Sequence, residues 1–161
     1  MKLLNLLPRE EKFYEMLEAL ASHAERSSQA LHHYIENPEP AARERVGNDI
    51  GTTKAKAKAD YDRIVEEVCR TFITPFDRED IEELATSIYV IPKLIEKITD
   101  RMRRNGMEPV DGDFRRFTTL AVRQSTVLVE LMHALAKRHK PNAIHEKAAV
   151  LYELEDQGDL A

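Results

Sequence analysis

The chain contains 161 residues and has a mass of 18.5 kDa, which is the size of a single domain with a substantial core. Lys and Arg number 24 against 29 Asp and Glu, so the formal net charge of −5 argues against the positive field that nucleic-acid-binding proteins use. Cys69, the only cysteine, excludes an internal disulfide, and no apolar run approaches the roughly 18 residues of a membrane span.

The composition and the spacing of apolar residues predict helices throughout the chain. Five glycines, 6% aromatic residues and 33% charged residues favour long amphipathic helices over strands. The apolar opening segment stops at Pro8 and is followed by charged residues, where a signal peptide would show a cleavage site. We therefore expect a soluble cytoplasmic protein. The first helix is predicted from about residue 10 to residue 36, and the Asn-Pro-Glu-Pro run at 37–40 ends it.

The second predicted helix carries an apolar stripe with a weak middle. Its predicted inward side chains are Val46, Ile50, Ala57, Tyr61, Ile64, Val68 and Phe72. Residues 52–58 between them carry little bulk and three lysines. Lys54 and Lys58 stand four residues apart, so they either snorkel from a half-buried face, pair with acids on a neighbouring helix, or lie on a solvated face.

The joint at residues 75–81 is the sharpest predicted boundary. Pro75 stops one helix, and Asp77 is predicted to cap the next, with Asp80 at the third helical position reaching back. Phe76 before the cap and Ile81 after it form a hydrophobic staple. Every residue of this joint therefore has a structural explanation that needs no ligand.

Three further helices complete the predicted fold. The third has a nearly ideal apolar stripe over 81–102, in which Pro92 is expected to kink the helix near Ile88, and the Asn-Gly pair at 105–106 closes it. The fourth opens at Asp111, and its predicted inward side chains are Phe114, Phe117, Leu120, Val127, Leu128, Leu131 and Leu135. The fifth continues its stripe through Ile144, Ala148 and Leu151. Five helices with short joints predict an all-α antiparallel bundle.

Few residues are arranged for chemistry. None of the six histidines has the His-Glu-x-x-His spacing of zinc hydrolases, and no glycine-rich phosphate loop is present. Cys69 is either a buried structural thiol or a reactive one. Glu155 and Asp159, four residues apart on the fifth helix, are either a metal-ligating pair or an exposed last turn, because two carboxylates supply too few of the roughly six oxygens that hard cations take.

The segment Thr71-Phe72-Ile73-Thr74-Pro75-Phe76-Asp77-Arg78-Glu79-Asp80-Ile81 resembles the signature of a known family. This is the PhoU-like family once catalogued as domain of unknown function 47, whose members are regarded as phosphate transport regulators or accessory proteins of the Pit-type inorganic phosphate transporter. The resemblance extends over the helix order of the whole chain. It also includes Leu6-Leu7-Pro8, Phe13, Leu84, Ile88, Ile95, Glu96 and the Glu155/Asp159 spacing.

The resemblance implies a PhoU-like helical fold of two similar three-helix halves. Residues 10–105 correspond to the first half and residues 111–161 to an incomplete second half. Helices 4 and 5 would then lack a covering helix, so their apolar stripe is expected to form a homodimer interface.

Acidic Glu-x-x-x-Asp motifs hold metal clusters in this family, but the first of them is absent here. Lys54 and Lys58 stand in place of the first acidic pair, and Tyr89, Val90 and Lys93 stand in place of three aspartates. These changes remove ligands and add positive charge, so we expect no divalent cluster in the first half.

The resemblance includes a second acidic pair near the end of the chain. Glu155 and Asp159 match the family motif, but the chain lacks the helix that would bring the other acidic motif. A divalent or ferric ion at this half-site would therefore need ligands from a second chain, and no other cofactor is expected.

The resemblance implies a non-enzymatic regulator or accessory protein of inorganic phosphate transport that contacts a transporter or a sensor. The alternative is a helical adaptor or scaffold with a degenerate metal site, unrelated to phosphate. Signature residues Asp77, Arg78, Glu79 and Asp80 are the candidate contacts, with Arg78 either structural or paired with Glu82 or with an acid of the partner.

A cluster of arginines ends the third predicted helix. Arg101, Arg103 and Arg104 are candidates to hold an anion or a lipid headgroup, which would allow at most a peripheral contact with a membrane. The alternative is that these cations simply complement the negative end of the helix dipole.

Overall fold

A computed structural model describes residues 9–37, 39–107, 112–137 and 141–159. The predictions at residues 6–8 and at Asp111 lie outside these ranges. Five helices account for almost all of the described chain, in the order α1 Arg9–Glu36, α2 Pro40–Arg70, α3 Arg78–Arg104, α4 Gly112–Ala136 and α5 Pro141–Asp159. No strand occurs in these ranges, so the predicted all-α helical bundle is confirmed. None of the five helices is long and apolar enough to cross a membrane.

Helix α1 is the central helix of the bundle. Lys12 of α1 lies 2.8 Å from Glu67 of α2, and His23 lies 3.0 Å from Asp60, so the two helices run antiparallel. Helix α4 also runs antiparallel to α1, since Glu18 of α1 accepts a hydrogen bond from His133, and Glu25, further along α1, accepts one from Thr126, which comes earlier in α4. Helix α3 packs on α1 and α2, whereas α5 packs on α4.

The apolar stripe of α1 supplies most of the core. One cluster gathers Phe13, Leu17 and Leu20 of α1 with Ile64 of α2 and Ile81 of α3, and all of them are almost fully buried. A second cluster lies toward the other end of the bundle, and its buried members are Leu31, Tyr34, Ile35, Ile50, Ile95 and Met102. Full burial of one such side chain stabilises the fold by about 1.5–3 kcal/mol before the entropy of ordering is subtracted.

The ends of α3 show how the sequence sets its length. The Met107 N–H donates to the carbonyl of Met102, the Gly106 N–H donates to that of Arg103, and Gly106 has a φ of 58°. This is a Schellman motif, in which glycine adopts the left-handed conformation that side chains disfavour. The predicted closure at 105–106 is therefore confirmed. Pro92 is buried inside the same helix, which continues through it.

Two side chains predicted to face the core are exposed, and so is the thiol of Cys69. Phe72 was predicted on the inner stripe of the second helix, but α2 ends at Arg70 and leaves it 89% exposed. Phe117 is 50% exposed because α4 instead turns Thr118 toward α1, where its hydroxyl lies 3.0 Å from the His32 ring. The thiol of Cys69 is exposed, so the interpretation as a buried structural thiol is wrong.

Candidate functional site

The joint between α2 and α3 is an ordered turn of residues 71–77. The Thr71 N–H closes α2 by donating to the carbonyl of Glu67 at 2.9 Å, and the Thr71 side chain is buried. The Thr74 hydroxyl donates to the carbonyl of Phe76 at 2.8 Å. The first of these is the last helical bond of α2, and the second is a local bond within the turn that helps to fix the path of the backbone between the two helices.

Arg78 fastens the joint from the first turn of α3. Its Nη2 donates to the carbonyl of Thr71 at 2.7 Å and to that of Phe72 at 3.1 Å. The guanidinium thus supplies donors to carbonyls that follow the end of α2. This geometry supports the structural interpretation of Arg78, and the described residues contain no ion pair between Arg78 and Glu82.

The joint has an apolar inner side and an apolar outer side. Phe76 packs against the core, with its ring 6.0 Å from that of Tyr14, and Ile81 is fully buried in the same cluster. Both members of the predicted staple therefore contribute to the core. On the outer side, Phe72 is 89% exposed and Ile73 is 66% exposed. These two adjacent apolar side chains, both open to solvent, are a candidate contact surface.

The acidic residues of the segment 71–81 follow this apolar pair in the chain. Asp77 occupies the N-cap position of α3, and Glu79 and Asp80 lie in its first turn; all three are exposed. The Asp77 side chain makes no capping hydrogen bond, so the predicted side-chain cap is wrong. Instead, the Asp77 carbonyl accepts from the Ile81 N–H at 3.1 Å. Because this end of the helix is exposed, water is able to satisfy the remaining N–H groups.

Two lysines and two tyrosines lie along neighbouring parts of α2 and α3. Lys54 of α2 lies 3.2 Å from Glu96 of α3, and Lys58 binds the Asp62 carboxylate at 2.6 Å. The hydrogen bond that the Lys58 ammonium donates to Asp62 raises the pKa of Lys58. The rings of Tyr61 and Tyr89 stack with their centroids 5.0 Å apart. Of the alternatives for the lysines, pairing with an acid of a neighbouring helix therefore holds for Lys54. Lys58 lies on an exposed face, where it pairs with Asp62 of its own helix.

The second acidic pair lies at the end of α5. Glu155 is exposed, and the side chain of Asp159 lies outside the part of the chain that the structure describes. Among the described residues, no group of three or more His, Cys, Asp or Glu side chains is placed to hold a metal ion.

The arginine cluster lies at the exposed end of α3. Arg103 Nη1 is 4.0 Å from the Asp100 carboxylate, and Arg104 Nε donates to the Asp100 carbonyl at 3.3 Å. Arg101 is exposed and makes no ion pair with any described residue. The contacts of Arg103 and Arg104 are the ones expected of cations that complement a helix C-terminus.

An apolar groove of about 500 Å³ separates α3 from α4 above the surface of α1. Its lining includes Leu31, Ile91, Leu94, Ile98, Phe117 and Leu128. Leu94 is 48% exposed and Phe117 is 50% exposed, so each wall contributes a half-exposed apolar side chain. The groove exists because α3 and α4 both pack on α1 without packing on each other.

The chain matches no protein-family model and no curated protein.

The exposed apolar pair at residues 72–73 and the groove are features that sequence reasoning missed. A run of apolar spacing does not say where a helix stops, so Phe72 looked like the last inward residue of α2. One signal was available, because the β-branched residues at 71, 73 and 74, followed by Pro75, disfavour helix over the last turn before the proline.

Proposed function

We propose that this protein is a non-enzymatic accessory or regulatory protein of inorganic phosphate transport, which acts by binding a partner protein through the joint between α2 and α3. The observation that carries the proposal is the pair Phe72 and Ile73, exposed side by side on a turn that Arg78 fastens. A fixed apolar pair loses little conformational freedom on binding, which is the property of an anchor at a protein interface.

The phosphate context rests on the sequence resemblance at residues 71–81 to PhoU-like accessory proteins. The exposed pair lies inside that segment, and Glu79 and Asp80 place acidic groups at its edge. An apolar centre with a charged rim is the usual composition of a protein contact surface. The partner class we propose is therefore a phosphate transporter of the Pit type with a basic, apolar-centred contact region.

The experiment is recovery of a transporter with the tagged full chain, purified from detergent-solubilised membranes of its own cells. We expect the native protein to enrich a phosphate transporter, quantified by mass spectrometry. The double variant Phe72→Ser/Ile73→Ser is expected to lower that recovery at least tenfold. The control is Tyr152→Ser on α5, which removes a side chain of similar exposure, 69%, away from the joint.

Two results would contradict different parts of this proposal. Equal recovery with the double variant and the native protein would remove the joint as the contact surface. If the native protein enriches no phosphate transporter but enriches another protein through the same two side chains, the phosphate assignment is wrong and the chain is a helical adaptor. Circular dichroism of the double variant must match that of the native protein, as expected for two exposed positions.

A further inference from the structure

One face of α3 carries a regular row of exposed side chains that no described helix covers. We call this row the α3 ridge, and its members are Glu79, Glu83, Ser87, Val90, Leu94, Lys97 and Arg101, all exposed. From Glu83 onward the steps between them alternate between four and three residues. That spacing repeats every 3.5 residues, the period at which two helices keep facing each other along their length.

The charges on the α3 ridge are segregated. Glu79 and Glu83 occupy the end near the joint, and Lys97 and Arg101 occupy the opposite end. None of these four makes an ion pair or a side-chain hydrogen bond with any described residue, although other exposed charges on α2 and α3 do. The middle of the ridge is apolar, with Val90 37% exposed and Leu94 48% exposed.

This arrangement is complementary to itself when reversed. If a second α3 lies antiparallel with Val90 opposite Val90, Lys97 faces the partner's Glu83 and Arg101 faces the partner's Glu79. The symmetry repeats both contacts, so one interface contains four ion pairs around an apolar centre. A parallel arrangement would instead place like charges opposite each other, which is destabilising.

We infer that a second copy of this chain packs its α3 ridge antiparallel against this one, with the two-fold axis beside Val90. The apolar groove is consistent with the same partner, because Leu94 lies both on the α3 ridge and in the groove wall, so a helix on the ridge also contacts the groove. A helix seated on the ridge covers the mouth of the groove and brings further apolar surface against Phe117. The interface then lies on α3 rather than on the stripe of α4 and α5 that the sequence predicted.

The size of this contact sets its expected strength. The 22 helical rises from Glu79 to Arg101 span about 33 Å. A strip of that length and about 10 Å wide is smaller than the roughly 800 Å² per partner of a stable interface, so the groove walls must contribute. We therefore expect a dimer that depends on protein concentration and weakens in high salt, because its ends are held by exposed ion pairs.

The test uses charge reversal on the full chain, with mass measured by analytical ultracentrifugation. Glu79→Lys/Glu83→Lys makes the ridge wholly basic, and Lys97→Glu/Arg101→Glu makes it wholly acidic. Each variant alone is expected to dimerise at least tenfold more weakly than the native protein. Mixed together, they are expected to form a heterodimer at least tenfold tighter than either homodimer, because every facing pair is then of opposite sign.

A third variant carries all four reversals and is expected to recover the native dimer, since the ridge is again complementary to itself when reversed. No recovery, or no heterodimer in the mixture, would overturn the proposed register. A native chain that is monomeric at several hundred micromolar would overturn the dimer itself. Failure to fold does not explain heterodimer formation, so the mixing experiment separates charge from stability.

A second measurement places the two-fold axis independently. In a Cys69→Ser background, which removes the exposed native thiol, Val90→Cys is expected to form a disulfide-linked dimer under mild oxidation. Thr119→Cys on the exposed side of α4 is the matched control and should stay largely unlinked. Equal cross-linking at the two positions would contradict an axis beside Val90.

Discussion

Arg78 illustrates how one side chain converts a break in a helix into a defined surface. A cation in the first turn of a helix is disfavoured by the helix dipole by some tenths of a kcal/mol. The two hydrogen bonds to the carbonyls of Thr71 and Phe72 offset that cost. The side chain therefore holds the backbone on which Phe72 is displayed.

We expect Arg78→Ala to lower the free energy of unfolding by about 1 kcal/mol, because two backbone carbonyls lose a charged donor at a partly exposed site. The comparison is Arg70→Ala, which removes an exposed pair with Glu66 and should cost less than about 0.5 kcal/mol. Urea denaturation of both variants measures the difference. Equal losses would mean that the joint does not depend on Arg78.

The contribution of Glu67 to the stability of the fold depends on pH. The hydrogen bond from the Lys12 ammonium, assisted by the Thr71 hydroxyl, lowers the pKa of Glu67 below its ordinary value of 4.5. Since the folded-state pKa is the lower one, the contribution of the ionised carboxylate is complete above about pH 4.5. It is lost as the pH falls through the folded-state pKa.

We therefore expect Glu67→Gln to be less stable than the native protein at pH 7 by a fraction of a kcal/mol, and the difference to vanish in strong acid. Thermal unfolding of the two proteins between pH 7 and pH 2 measures this. A stability difference that stays constant over that range would show that the Lys12–Glu67 pair does not stabilise the fold through its charge.

At the scale of the element, two glycines lower the helix propensity of α2. It carries two glycines in its N-terminal half, and each costs about 0.8–1 kcal/mol relative to alanine in a helix interior. A Cβ at Gly51 would meet no atom within 4 Å, whereas a Cβ at Gly47 would lie 3.2 Å from Cδ of Arg103. The two positions therefore separate helix propensity from packing.

We expect Gly51→Ala to raise the free energy of unfolding by about 0.5–1 kcal/mol. Gly47→Ala is expected to gain less, because the Arg103 side chain must move aside. Chemical denaturation of both variants provides the measurement. A larger gain at position 47 than at position 51 would contradict the close approach of Arg103 to α2.

Helix existence and order could be predicted from the sequence because apolar spacing reports directly on which face of a helix is buried. The periodicity over 81–102 and the Asn-Gly closure both appear in α3 as expected. The rotation of α4 could not be predicted, since its apolar residues surround most of the helix. The hydrogen bonds of Thr118 to His32 and of Thr126 to Glu25 accompany its orientation, and such distant polar contacts leave no local pattern.

The candidate site was predictable in part. The segment 71–81 stood out by resemblance, and its turn was expected from Pro75. The exposure of Phe72 depends on α2 ending at Arg70, and helix ends are the least predictable feature of apolar spacing. The α3 ridge could not be predicted either, because the sequence does not show which charged face of α3 its neighbouring helices leave uncovered.

At the scale of the whole molecule, the five helices differ in how many neighbouring helices they pack against. Helix α1 packs on α2, α3 and α4, whereas α5 packs on α4 alone among the described helices. Its anchor is Leu154, only 2% exposed, with an ion pair between Lys147 and Glu130. Elements with few neighbours open at lower free energy than the centre of a fold.

We expect amides of α5 to exchange with deuterium well before those of α1, as measured by hydrogen exchange with mass spectrometry. Leu154→Ala should accelerate exchange in α5 and leave α1 protected. Leu20→Ala, at a fully buried position of α1, should instead lower global stability by about 2–5 kcal/mol. Uniform loss of protection after Leu154→Ala would show that α5 is integral to the cooperative unit.

The central place of α1 has a consequence for synthesis on the ribosome. Helix α1 precedes all the helices that cover it, and its last neighbour, α4, is completed only at Ala136. The face that receives α4 therefore stays uncovered while the 32 residues after α3 are translated, which takes about 2–6 s at roughly 5–20 residues per second. During that interval the nascent chain presents an apolar surface of the kind that chaperones bind.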